Sequence, residues 1–141
     1  MIFDQQNIFS DAQAITATAG STNTIDLGPI ATGITRDIGK GEPIPILIQV
    51  VEAFDSVADD ETLTIAIEQD STETITPDRT DTIAVISNAD LKTVGYKVPV
   101  RAMIDGIRYR YIRLKYTVTG SGNFTAGKIT AGVVMGRQTN G

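Results

Sequence analysis

At 141 residues and a formal net charge of -5, the chain suits one domain, long enough for roughly 68% of the unfolded surface to be buried without extra staples. It has no cysteine and no histidine, which excludes disulfides, thiolate metal sites, cysteine nucleophiles and a Ser-His-Asp triad, and leaves an enzyme only carboxylates or lysine to work with. The charge is uneven: residues 1–90 carry 16 acids against three bases, and residues 91–141 carry one acid, Asp105, against nine bases. That asymmetry either guides docking and self-assembly or is neutralised where the strands intermix in space.

The opening MIFDQQNIF has acidic Asp4 and no long apolar run, so neither a secretory signal nor a membrane span is expected, and synthesis in the cytoplasm is. Residues 1–13 read as an extended arm: Ile2, Phe3, Ile8 and Phe9 bracket the polar DQQN with a spacing that fits neither a helix face nor one side of a strand. Ser10 and Gln13 have capping-box spacing, but the AITATAG after them is β-branched and alanine-rich, so one helical turn at most is expected. Short strands are predicted at residues 14–18 and 23–27, separated by Gly20 and Ser21. Residues 28–43, GPIATGITRDIGKGEP, lack a period and read as a long loop; the KGE within it does not complete the glycine-lysine pattern of a phosphate-binding loop.

Residues 44–54, IPILIQVVEAF, are apolar on both parities, which predicts a central strand buried on both sides or one passing beneath the hairpin of residues 108–134, with Pro43 and Pro45 restricting its start. SVADDE then makes an acidic turn. Asp59, Asp60 and Glu61 invite comparison with a calcium loop but lack the alternate-residue ligand register and the turn glycine, so a solvated hairpin tip is expected. Leu63, Ile65 and Ile67 alternate with Thr62, Thr64 and Glu68 in the next strand, residues 70–80 form a second polar loop, and TIAVIS at 82–87 is a strand. NADLK suggests one helical turn capped by Asn88, residues 96–100 a short strand that Pro99 confines to an edge, and Asp105-Gly106 a turn.

Residues 108–134 organise the rest. Ile112, Leu114, Tyr116 and Val118 alternate with Tyr109, Tyr111, Arg113, Lys115 and Thr117, a period of two that makes one face core and the other wet and cationic. After a glycine-rich turn, Ile129, Ala131 and Val133 restart the alternation, and one long antiparallel hairpin is the economical reading. Eight strands and almost no helix predict an all-β single domain, a sandwich or barrel over residues 14–141 behind the arm at 1–13. The core is expected along Ile112, Leu114, Tyr116, Val118, Ile129, Ala131 and Val133, packed on Ile46, Ile48, Val50, Leu63, Ile65 and Ile67.

Four stretches, in order, resemble one family: MIFDQQNIFSDAQAITATAGSTNTIDLG, PIPILIQVVEAF, RYIRLKYTVTG and TAGKITAGVV. They are similar to the capsid cement, or decoration, proteins of tailed phages, particularly the jelly-roll type of short-tailed phages. The resemblance runs nearly end to end but leaves out residues 28–41 and 70–79. It implies a jelly-roll-like sandwich on the exterior of an icosahedral virion shell, added in the host cytoplasm. It carries over no catalytic residue, cofactor or metal, and does not specify which residues touch the shell.

The expected partners are the major capsid protein and further copies of the chain, a dimer first and a trimer as the alternative; nucleic acid, membrane and small-molecule substrate are not expected. Partner-binding candidates are Ile2, Phe3, Ile8 and Phe9 of the arm, and Arg101, Arg108, Tyr109, Tyr111, Arg113 and Lys115 on the basic face. The arm has an alternative, folding back over an open end of its own sandwich, and the basic face another, a merely solvated sheet. A carbohydrate-binding sandwich competes weakly, since the chain has no Trp and clusters only Tyr109 with Tyr111. The Tyr109, Tyr111, Arg113 and Lys115 set also resembles a stacking platform for nucleic acid. A carboxylate-pair glycosidase would need two acids that converge, and the pattern places none together.

Overall fold

The computed structural model describes residues 3–39, 41, 44–100 and 106–135. Its strands are β1 (Ile8–Ala14), β2 (Ala19–Gly20), β3 (Ile25–Asp26), β4 (Ile46–Ser56), β5 (Thr62–Asp70), β6 (Arg79–Ile86), β7 (Tyr111–Thr119) and β8 (Phe124–Val133), with one helical turn, α1 (Asn88–Leu91). They form two antiparallel sheets: β1-β8-β4, and β2-β7-β5-β6, with β3 following β2 along the same edge of β7. The architecture is the expected all-β, jelly-roll-like sandwich.

Alternation explains the core. Leu63, Ile65 and Ile67 of β5 with Ile112, Leu114 and Tyr116 of β7 point inward from one sheet, and Ile46, Ile48 and Val50 of β4 with Ile129 and Ala131 of β8 point inward from the other. Val118 and Val133 pack against its margin, so every residue expected in the core lies there. At one end Phe54 and Phe124 meet edge to face, 4.8 Å between centroids and 74° between planes. A Cβ on Gly127 would lie 2.4 Å from the Phe54 ring, so this position admits no side chain.

The predicted long hairpin is not formed. β7 pairs with β2, β3 and β5, whereas β8 lies between β1 and β4, so the turn between them crosses from one sheet to the other and sets the two arms face to face. Alternation specifies which side of a strand meets the core; it is blind to whether two such strands are neighbours in one sheet or partners across the core.

β4 is likewise an edge, not a central strand. Its apolar outer residue Leu47 is buried, and residues 95–98 run along the open edge: Gly95 N–H donates to Val50 O at 2.8 Å, Val50 N–H to Tyr96 O at 3.0 Å and Val98 N–H to Ile48 O at 2.9 Å. The strand predicted at 96–100 is thereby reduced to a single bridge, Lys97 opposite Gln49.

The arm is corrected too. Ile8–Ala14 is β1, with Ile8 opposite Gly132, Ser10 opposite Ala131 and Gln13 opposite Ile129, and Phe9 is 0% exposed in the core. Two register shifts interrupt this pairing, and Ala12 has a φ of 46°. Bulges insert residues into a strand and scramble its period, which is why the apolar spacing matched neither template. Only Phe3–Asn7 precedes β1 among the described residues, as a turn capped by the Asp4 carboxylate on Gln6 N–H, with the Phe3 ring against Gly132. The strands predicted at 14–18 and 23–27 shrink to the end of β1 and to β3, and β2 forms between them. The cap of α1 is Ser87 rather than Asn88, its hydroxyl accepting from Asp90 N–H at 3.3 Å.

Candidate functional site

The outer face of the five-stranded sheet gathers most of the expected basic residues. Register sets Arg113 opposite Glu68, Lys115 opposite Ala66 and Tyr111 opposite Asp70, and an opposite charge directly across a strand pair forms a bond. Arg113 Nε donates to Glu68 Oε2 at 2.6 Å, the two side chains being 24% and 8% exposed. The guanidinium lies over Gly20 of β2, 3.3 Å from where a Cβ would stand. Arg110 forks onto both oxygens of Asp26, each at 2.7 Å, and sits 4.9 Å from the centroid of the Tyr111 ring. The Arg110 bond, helped by the Gly28 N–H, holds the Asp26 carboxyl down at about 2.

Sequence reading missed Arg110 because it falls outside the face on which Tyr109, Tyr111, Arg113 and Lys115 alternate. Its position one residue before the strand, facing an aspartate from a distant segment, left no periodic signal. The cationic face is therefore partly neutralised: Arg113 is bonded on it, and Arg110 at its margin is bonded and covers Tyr111. Lys115 and the exposed Arg108 have no ion-pair partner among the described residues.

Tyr109 and Arg108 precede β7. With Arg36, Arg110 and Ser71 they line an open pocket of about 280 Å³ where the two long loops meet. Both loops are tied down. Arg36 donates to the carbonyls of Leu27 and Gly28, and Asp70 accepts from Thr72 N–H at 2.7 Å and Thr76 N–H at 2.8 Å. The other candidates are not brought here: Phe3, Ile8 and Phe9 belong with the opposite sheet, and Ile2 and Arg101 lie outside the described residues.

The Ser10 and Gln13 spacing turned out to mark a buried network rather than a helix cap. Ser10 Oγ lies 2.7 Å from Tyr116 OH across the core and donates to Gln13 Oε1 at 2.7 Å, while Gln13 Nε2 donates to Gly20 O at 2.9 Å. These bonds join β1 to the opposite sheet, and burial pushes the Tyr116 hydroxyl up to about 12.

The acidic turn between β4 and β5 is only partly the solvated tip that was expected. Asp59 accepts from Lys92 Nζ at 2.7 Å and Asp60 from Ser121 N–H at 3.1 Å. Lys92 and the Ser121 hydroxyl, respectively, are the main causes of their lowered pKa values. Glu61 is 0% exposed, and neither carboxylate oxygen has a hydrogen-bond donor among the described residues. Nothing in the SVADDE pattern distinguishes this residue from its exposed neighbours. Among the described residues no three acidic side chains close on a metal position, and no helix is long and apolar enough to cross a membrane.

Among curated proteins none matches the chain. The sequence model of the family described as Bbp16 matches residues 9–133, a span that runs from the buried Phe9 of β1 to the last residue of β8, and the chain belongs to that family.

Proposed function

We propose that this chain is a structural virion protein, a capsid cement protein that binds the outside of a phage head, links major capsid subunits and associates with further copies of itself. The observation that carries the reading is the ordered resemblance of four stretches to phage cement proteins. In the fold those stretches supply β1 to β4, β7 and β8, hence the whole three-stranded sheet and the strand facing it across the core. The segments left out of the resemblance, 28–41 and 70–79, include the loops beside the Tyr109 pocket, where contacts particular to one shell would be made.

Cement action asks for a rigid body and many modest contacts, because linkage to a symmetric lattice makes each later contact nearly intramolecular. The sandwich suits this, with a tied outer face and a buried network across its core. Docking falls to the loops and to Arg108 and Lys115, since Phe9 is committed to the core. Exposed charges of this kind set rate and register more than affinity.

The test is co-sedimentation of the purified chain with empty heads of the parent phage that lack it, from low to high salt. The expected result is saturable binding, slower at high salt, that raises the temperature at which the heads disassemble. Folded protein that stays in the supernatant at every salt concentration overturns the reading.

A further inference from the structure

We propose that the end of the sandwich formed by the β4–β5 and β7–β8 turns binds a divalent cation, Ca²⁺ in preference to Mg²⁺, through the carboxylate of Glu61. The buried side-chain atoms without a hydrogen-bond partner among the described residues are all oxygens: Ser56 Oγ, both carboxylate oxygens of Glu61 and Asn88 Oδ1. All belong to one turn and its neighbour. Ser56 ends β4, Glu61 immediately precedes β5, and the Asn88 amide donates at 3.5 Å to Asp59 between them. Buried polar atoms normally have partners, and a buried carboxylate without one is the costliest exception.

Glu61 packs against the β7–β8 turn. A Cβ on Gly120 would lie 2.8 Å from Glu61 Cα, and Glu61 Oε1 is 3.2 Å from where a Cβ on Gly122 would stand. The carboxylate is therefore held beneath the turn that crosses between the sheets. The surroundings add negative charge: Asp55, Asp59 and Asp60 flank it, against Lys92, which is bonded to Asp59.

The unpartnered buried atoms are the oxygens of a carboxylate, an amide and a hydroxyl, and no nitrogen or sulfur is among them. Such a set suits a hard cation, and its irregularity suits Ca²⁺, which takes six to eight oxygens flexibly, over Mg²⁺, which demands a near-ideal octahedron. Because no three acidic side chains converge among the described residues, the affinity belongs at the weak end of the calcium range, a Kd of about 10⁻⁴ to 10⁻³ M. The inference does not rest on the shell-binding reading.

The experiment uses the full chain, stripped with a chelator and then titrated with CaCl₂ or MgCl₂ at constant ionic strength. At 10 mM CaCl₂ the Tm should rise by about 5–9 °C, by less with MgCl₂, and not at all in Glu61→Gln. Amide hydrogen exchange of the wild-type chain should slow on calcium addition at residues 57–62 and 120–123, a readout that stands even where the variant fails to fold. A wild-type Tm and exchange pattern unmoved by 10 mM CaCl₂, an equal rise in folded Glu61→Gln, or protection confined to other segments overturns the proposal.

Discussion

Glu68 and Glu61 lie at opposite ends of β5, both buried, and they meet opposite fates. Glu68 faces Arg113 across the strand pair and is bonded at 2.6 Å. Glu61 stands one step beyond Thr62, whose partner Thr119 is the last residue of β7, so the position facing it is Gly120. Within a ladder, register can supply each buried charge with an opposite one; past its end only turn backbone is left. The difference teaches that burial of a carboxylate is decided by what stands across from it, which the residue's own strand does not reveal.

The largest expected effect calibrates the core that both glutamates border. Leu114→Ala removes a side chain with 0% exposure and should cost about 2–5 kcal/mol in urea unfolding; an unchanged midpoint would place β7 outside the core. Next, Arg113→Ala should turn Glu68 into a second Glu61, at a cost of about 2–3 kcal/mol, and the double change Arg113→Met with Glu68→Leu should recover more than half of that. A double variant as unstable as the single one would show that packing, not the stranded charge, was lost. In calcium-free buffer Glu68→Gln should cost about 1–2 kcal/mol, while Glu61→Gln should stay within about 1 kcal/mol of wild type or gain. Equal losses in the two variants would erase the contrast.

The remaining effects are read by titration. Asp26 is held at about 2 against an ordinary 3.8, so its contribution is present above 3.8 and lost as pH falls toward 2; Asp26→Asn should flatten that part of the acid unfolding curve. Tyr116 is pushed to about 12 from 10.0. Its contribution is complete below pH 10 and lost as pH rises through 12, a decline that Tyr116→Phe should remove.

The inward faces of β4, β5, β7 and β8 were legible because alternation reports burial directly. Sheet membership was not, since Leu114 and Ile129 look alike whether they are neighbours or face each other across a core. The bulges of β1 disguised a strand as an arm, and the edge position of β4 was hidden because its outward Leu47 is buried like a core residue and residues 95–98 bond its edge from outside the ladder. At the candidate face, Arg113 and Lys115 were readable from periodicity. Their chemistry was not, because the acids that neutralise Arg113 and Arg110 come from residues 68 and 26. Glu61 was invisible for the same reason: its environment is made by a distant turn.

In the three-stranded sheet the last strand is the middle one, and Ile8 waits for Gly132. At about 5–20 residues per second of synthesis, a growing chain holds Phe9 and the edge of β1 without their partner for about 6–25 s. The sandwich cannot close progressively as it leaves the ribosome; it closes when β8 arrives and both outer strands dock on it at once. Such a chain is exposed to chaperones and to its own sister copies during translation, and loses the whole sheet to a truncation that removes only its final strand.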